Sequence, residues 1–123
     1  MSDQHSSQRV VSAGTITGEQ VRNPSGEDLG KIEEIVLDAD SGQIAYAVLS
    51  FGGFLGMGDK LFAIPWQSLS FNDEADDFVL NVDREVLKDA PGFDKDNWPD
   101  FADRTWGSSI HSHYGTDPYW NSK

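Results

Sequence analysis

Asp28 to Leu69 reads DLGKIEEIVLDADSGQIAYAVLSFGGFLGMGDKLFAIPWQSL, and the choice between helix and strand over its first ten residues decides the fold. Leu29, Ile32 and Val36 fit a helical stripe, whereas Gly30, Ile32, Ile35 and Leu37 fit a strand with one slip of phase. The abundance of Ile and Val, the shortness of the segment and the glycines at 26, 30 and 42 favour the strand. The slip between Ile32 and Ile35 then predicts a β-bulge at Glu33-Glu34, which would bend the strand as closure of a small barrel requires. Asp40-Ser41-Gly42 is a hairpin turn signal. Gln43 to Phe51 follows with apolar residues on both faces, so it should be the most buried strand. Gly52 to Asp59 reads as a loop, and Lys60 to Trp66 as a further strand ended by Pro65-Trp66.

Upstream, Met1 to Ala13 is polar and without periodicity, which predicts a disordered arm. Val21 to Asn23 is a short first strand, and Pro24 to Glu27 supplies turn residues. Downstream, Ser70 to Asn72 and Phe78 to Val82 form a last hairpin around an acidic turn. Asp83 caps a short helix that Pro91-Gly92 stops. Asp103 caps a second helix in which Trp106, Ile110 and Tyr114 recur at i, i+4 and i+8, with Gly115 as its stop. That aromatic stripe should bury against the barrel or a second subunit. The predicted barrel core is Ile32, Ile35, Leu37, Ile44, Tyr46, Val48, Phe62, Ile64, Phe78 and Leu80. Short strands with closely spaced turns suggest an all-β fold, a small antiparallel barrel or sandwich, followed by short helices in an aromatic-rich tail.

Composition removes several function classes. The 123 residues suffice for one domain with a modest core. There is no cysteine, so disulfides, thiolate metal sites and thiol nucleophiles are excluded. Lys and Arg number 9 against 21 Asp and Glu, a net charge of −12, which disfavours phosphate backbones and anionic membrane surfaces. No run approaches a bilayer-spanning length and the first residues lack a signal-like apolar core, so a cytoplasmic location is expected.

Motifs that carry chemistry are weak. The glycine loop from Gly52 to Lys60 lacks the Gly-Lys-Ser/Thr order and the following helix of a phosphate-binding loop. Its tip residues Phe54, Leu55 and Met57 suit an interface instead. Asp38, Asp40 and Gly42 mimic the start of a calcium loop, but Leu49 stands where a bidentate Glu is needed. His111 and His113 are two apart and so do not share a helix face. Ser108, Ser109 and Ser112 lie in no nucleophile-elbow context. The aromatics Trp66, Trp98, Trp106, Tyr114, Tyr119 and Trp120 suit core and seam packing more than a ligand cage. No catalytic residue, cofactor or metal is expected.

The pieces GEDLGKI, DSGQIAY and GGFLGMGDKLFAIPW, taken together, resemble the PRC-barrel family. That barrel is named for the cytoplasmic part of the photosynthetic reaction-centre H subunit, and a related domain closes a bacterial ribosome-maturation factor. The tail, PGFDKDNWPDF with WGSSIHSHYG and PYW, resembles the extension of free-standing bacterial members. The resemblance implies an all-β domain over 14–90, a six-stranded antiparallel barrel, with short helices in the aromatic-rich extension over 91–123, and a role in assembly rather than catalysis. This sequence shows neither the H subunit's membrane helix nor the maturation factor's N-terminal domain, so only "binding module" transfers. The expectation is a non-enzymatic homodimer with a protein partner. Its candidate interface is Phe54, Leu55, Met57, Trp106, Ile110, Tyr114, Tyr119 and Trp120. The alternatives are an accessory to photosynthetic or membrane electron transfer, or a ribosome- or RNA-maturation factor.

Overall fold

The computed structural model describes residues 10–52, 60–72 and 77–121. A helical turn, α1 (Ala13–Ile16), leads into strands β1 (Gln20–Arg22), β2 (Asp28–Leu37), β3 (Ile44–Phe51) and β4 (Lys60–Pro65). A 3-10 turn (Trp66–Ser68) precedes β5 (Leu69–Asn72) and β6 (Asp77–Leu80). Helices α2 (Arg84–Lys88) and α3 (Arg104–His113) and a second 3-10 turn (Tyr119–Asn121) complete the chain. Ser12 and Ala13, read from the sequence as the end of an arm, instead start α1, whose Thr15 amide donates to the Ser12 hydroxyl. The rest of the expected arm, residues 1–9, lies outside the described residues.

The six strands form one sheet in the order β4-β3-β2-β1-β6-β5, curled into a half-barrel with β4 and β5 at its edges. The expectation of a purely antiparallel barrel is corrected here: β1 and β6 pair parallel, Val21 beside Phe78 and Arg22 beside Val79. The reason lies in the corner at residues 66–68. β5 is antiparallel to β6, and β6 is parallel to β1, so β5 runs in the same direction as β4. A three-residue 3-10 corner carries the chain from one edge to the other without reversing it, and the returning β6 therefore lies parallel to β1.

The expected bulge is present. Ile32 pairs with Leu49 and Glu34 with Val48, which leaves Glu33 as the extra residue. Glu33 and Glu34 are both exposed, as a bend on the convex side allows. Gly30 takes φ +123°, and a Cβ there would collide with the Ser50 carbonyl. Only glycine lets β2 coil this closely over β3. At the β2–β3 turn, Asp38 Oδ1 accepts from the amides of Asp40 and Ser41, and Gly42 takes φ +79°.

Two apolar layers flank β3. The concave layer holds Val21, Leu29, Ile32, Leu49, Phe51, Phe62, Ile64, Phe78 and Leu80, with Leu87 and Ala90 of the following segment closing one end. The convex layer holds Ala45, Tyr46, Ala63, Ile110 and Tyr119. Four members of the predicted core, Leu37, Ile44, Tyr46 and Val48, fall outside the concave cluster, although Val48 is fully buried. Tyr46 is fully buried, but under the C-terminal segment and not inside the barrel. Leu37 is 57 % exposed, because β2 shifts register a second time between Val36 and Leu37 as it leaves the sheet. Ile35 and Ile44 are half-buried.

The helix ends follow local rules. Asp103 Oδ1 accepts from the amides of Thr105 and Trp106. Past the end of α3, Thr116 N–H donates to the His111 carbonyl and Gly115 N–H to that of Ser112, with Gly115 at φ +74°. Asp83 makes no side-chain capping bond, contrary to expectation. Glu27 Oε1 accepts from the Arg84 amide instead, at 3.4 Å.

Candidate functional site

The segment after Ala90 wraps the convex face and meets the β2–β3 hairpin in a polar seam. Phe93 first extends the edge of β4, exchanging two backbone hydrogen bonds with Leu61 at 2.8 Å each. The chain then supplies Trp98, Phe101 and Trp106, whose rings pack in sequence at centroid distances of 6.1 and 5.6 Å. Trp106 stands edge-on to Tyr46 at 5.3 Å and Tyr119 does so at 6.0 Å. Gly107 is what lets α3 come down onto this ring: a Cβ there would sit 2.8 Å from the Tyr46 hydroxyl and 3.0 Å from Trp120.

His111 is fully buried on the inner face of α3. Its Nε2 accepts from the Tyr119 amide at 3.2 Å, so the ring carries its proton on Nδ1 and donates it to the Gly107 carbonyl at 2.7 Å. Both ring nitrogens are thus engaged, and the imidazole is a clamp that fixes the turn at Tyr119. The Tyr119 hydroxyl in turn donates to Asp38 Oδ2 at 2.7 Å. This bond spans 81 residues of chain and ties the extension to the hairpin.

The electrostatics follow from these bonds. Asp38 is held below the ordinary carboxylate range, first by the Tyr119 hydroxyl and then by the Ser41 amide. Tyr119 is pushed up to about 12 by burial and by its bond to the Asp38 carboxylate. Tyr46 is likewise pushed up to about 12, by burial and then by neighbouring Tyr119. Burial alone raises Tyr114, whose hydroxyl has no hydrogen-bond partner among the described residues.

Beside this clamp is a depression of about 370 Å3. Its floor is Val36, Ala45 and Phe101, and its rim carries Leu37, Asp40 and Arg104. The Arg104 guanidinium lies over the Trp120 ring at 4.9 Å.

Of the candidate interface residues, Phe54, Leu55 and Met57 lie outside the described residues. Trp106, Ile110, Tyr114, Tyr119 and Trp120 are gathered in or against one cluster; the i, i+4, i+8 spacing pointed to the first three alone. Ile110 and Tyr119 are buried within the protomer, while Trp106, Tyr114 and Trp120 remain half-exposed. Asp38 and Asp40 serve the turn, and His111 faces inward while His113 is exposed. Among the described residues no three His, Asp or Glu side chains form a metal-holding group. Sequence reasoning missed Arg104, Gly107 and the reach of Asp38 to Tyr119. No local pattern marks either long-range contact, Arg104 with Trp120 or Asp38 with Tyr119.

Curled sheet and shallow seam together define a small β-barrel module with an appended helical layer. The PRC-barrel domain model matches residues 9–87, well over half of the chain, and the chain belongs to the PRC-barrel family. No curated protein matches the chain.

Proposed function

We propose that this chain is a non-catalytic interaction module of the cytoplasm, of the kind represented by the reaction-centre H-subunit barrel, acting as a homodimer on a basic protein partner. The observation that carries the reading is the direction in which the seam's titratable groups are displaced. Asp38 is moved down and Tyr119 up to about 12, so near neutrality the acid is ionised and the phenol protonated. A general acid or base works best with a pKa near the operating pH, and these groups are driven away from it. Their bonds join one part of the chain to another.

The exposed part of the seam has the composition of an interface. Leu37 is 57 % exposed, and Arg104 and Trp120 stack beside it. Trp, Tyr and Arg are the residue types that dominate binding energy at protein contacts. The net charge of −12 favours a basic partner and raises its association rate. Among the described residues no helix is long and apolar enough to cross a membrane.

The test combines sedimentation with affinity capture from the native cell. A dimer at high micromolar concentration is expected. So is a basic protein captured by the wild type, released by salt and lost with Leu37→Asp. A monomer throughout would remove the dimer. Recovery of ribosomal RNA or of a membrane complex would transfer the assignment to the maturation or electron-transfer alternative. Turnover of ester or phosphate substrates that Asp38→Asn abolishes would contradict a non-catalytic role.

A further inference from the structure

A second cavity opens beside the 3-10 corner, between α1 and strands β5 and β6. Its volume is about 290 Å3, and its lining includes Val11, Ile16, Glu19, Trp66, Phe71 and Phe78. Three of these are aromatic rings set at steep angles to one another. Trp66 and Phe78 lie 5.9 Å apart at 57°, and Phe71 meets Phe78 at 5.2 Å and 71°. Phe78 and Ile16 are buried, Trp66 and Phe71 half-buried, and Val11 is 54 % exposed at the rim. The cavity is thus an aromatic and aliphatic cup with an open mouth.

Glu19 is the one ionisable residue of that lining. Its backbone is fixed on both sides: its amide donates to the Ile16 carbonyl and its carbonyl accepts from the Ile32 amide, each at 3.0 Å. The residue as a whole is half-buried, and its carboxylate makes no hydrogen bond or ion pair with any described residue. Neither carboxylate oxygen is sealed from solvent, so a ligand that covers the group must bring it a positive partner or leave it desolvated. No Lys, Arg or His lines the cavity to supply it.

We propose that this cup is a binding site for a small organic ammonium group. The negative faces of aromatic rings attract a cation, and the attraction is strongest where water is displaced. A single carboxylate supplies the counter-charge. Aliphatic Val11 and Ile16 suit the methyl or methylene groups that surround the nitrogen. A neutral apolar ligand would leave Glu19 without a partner, and an anion would meet both Glu19 and a chain of net charge −12. The cavity is close to the lower end of the volumes that enclose small ligands, so it takes a headgroup and not an extended molecule. The proposal is independent of the interaction role assigned to the seam on the convex face.

The test is an amide-resolved NMR titration of the full-length chain with choline, with its uncharged carbon isostere 3,3-dimethylbutan-1-ol, and with a short peptide carrying trimethyllysine. Choline is expected to shift the amides of residues 11–19, 66–71 and 77–78. The isostere and the Glu19→Gln variant are each expected to bind about fivefold to tenfold more weakly. Tighter binding of the peptide than of choline would identify a protein side chain as the source of the ammonium; weaker binding would identify a free metabolite. Trp66→Leu, with dispersion of the remaining amides as the check on folding, is expected to remove binding. The proposal is overturned by an isostere that binds as well as choline with Glu19→Gln unaffected. It is equally overturned by shifts that map elsewhere, or by none up to about 10 mM cation.

Discussion

At the scale of single residues, two positions carry more than their type suggests. Gly30 sits at φ +123° with the Ser50 carbonyl where a side chain would begin. Gly30→Ala is expected to cost at least about 3 kcal/mol in denaturant unfolding, since both backbone strain and a clash with main chain are incurred. An effect under about 1 kcal/mol would mean that β2 and β3 do not cross this closely. The Asp38–Tyr119 bond makes a prediction about pH. Asp38 is depressed in the folded state, so its contribution is present above the unfolded carboxylate pKa and is lost as pH falls through the lower, folded value. Tyr119 is raised to about 12, so its contribution is complete below about pH 10 and is lost as pH rises towards 12. Tyr119→Phe should therefore lower Tm most between about pH 5 and 9, and the gap to wild type should narrow at both extremes. A gap that stays constant through both the acid and the alkaline limbs would disconnect the pair.

Among elements, the turn between β1 and β2 shows what pattern reading captures and what it loses. Pro24 to Glu27 announces a turn, and the structure closes it with the Asn23 side chain. Asn23 is 3 % exposed; its Oδ1 accepts from the Glu27 amide at 2.9 Å, and its Nδ2 donates to Glu27 Oε1 and to the Val82 carbonyl. Glu27 Oε1 also accepts from the first amide of α2. One asparagine thus welds β1, the turn and the exit from β6. Asn23→Ala leaves these groups unpaired and is expected to cost about 2–3 kcal/mol, read from the midpoint of urea unfolding. A loss below about 0.5 kcal/mol would show that water replaces the side chain without penalty.

The strands, the bulge and the two C-terminal caps were legible because each depends on neighbours within a few residues. Ile32 and Ile35 fall out of phase at the bulge, and Asp103 and Gly115 bracket a stripe of period near 3.6. The parallel β1–β6 pairing was not legible, since no local pattern states whether the corner at 66–68 reverses the chain. Nor was the inside of the barrel distinguishable from its outside along β3, where both faces are apolar. Tyr46 was assigned to the wrong layer for that reason. The Asp38 carboxylate announced a turn and concealed a tether, because its partner is distant in sequence.

For the molecule as a whole, the C-terminal extension is a second apolar layer that shares β3 with the barrel core. Removing everything after Ala90 uncovers Ala45, Tyr46 and Ala63, which are 2 %, 0 % and 2 % exposed in the intact chain. The truncated chain is expected to bind a hydrophobic dye that the full chain does not, and to lose any self-association that depends on the extension. Unchanged dye binding would place this layer elsewhere in solution.

The extension folds back on its own barrel, and the most direct measurement of that is an isotope-filtered NOESY on a mixture of labelled and unlabelled chains. Cross-peaks from Tyr119 and Trp106 to the Tyr46 ring are expected within single labelled protomers, consistent with ring centroids 6.0 and 5.3 Å apart. The same cross-peaks found between labelled and unlabelled chains would mean that the aromatic layer is exchanged between two subunits.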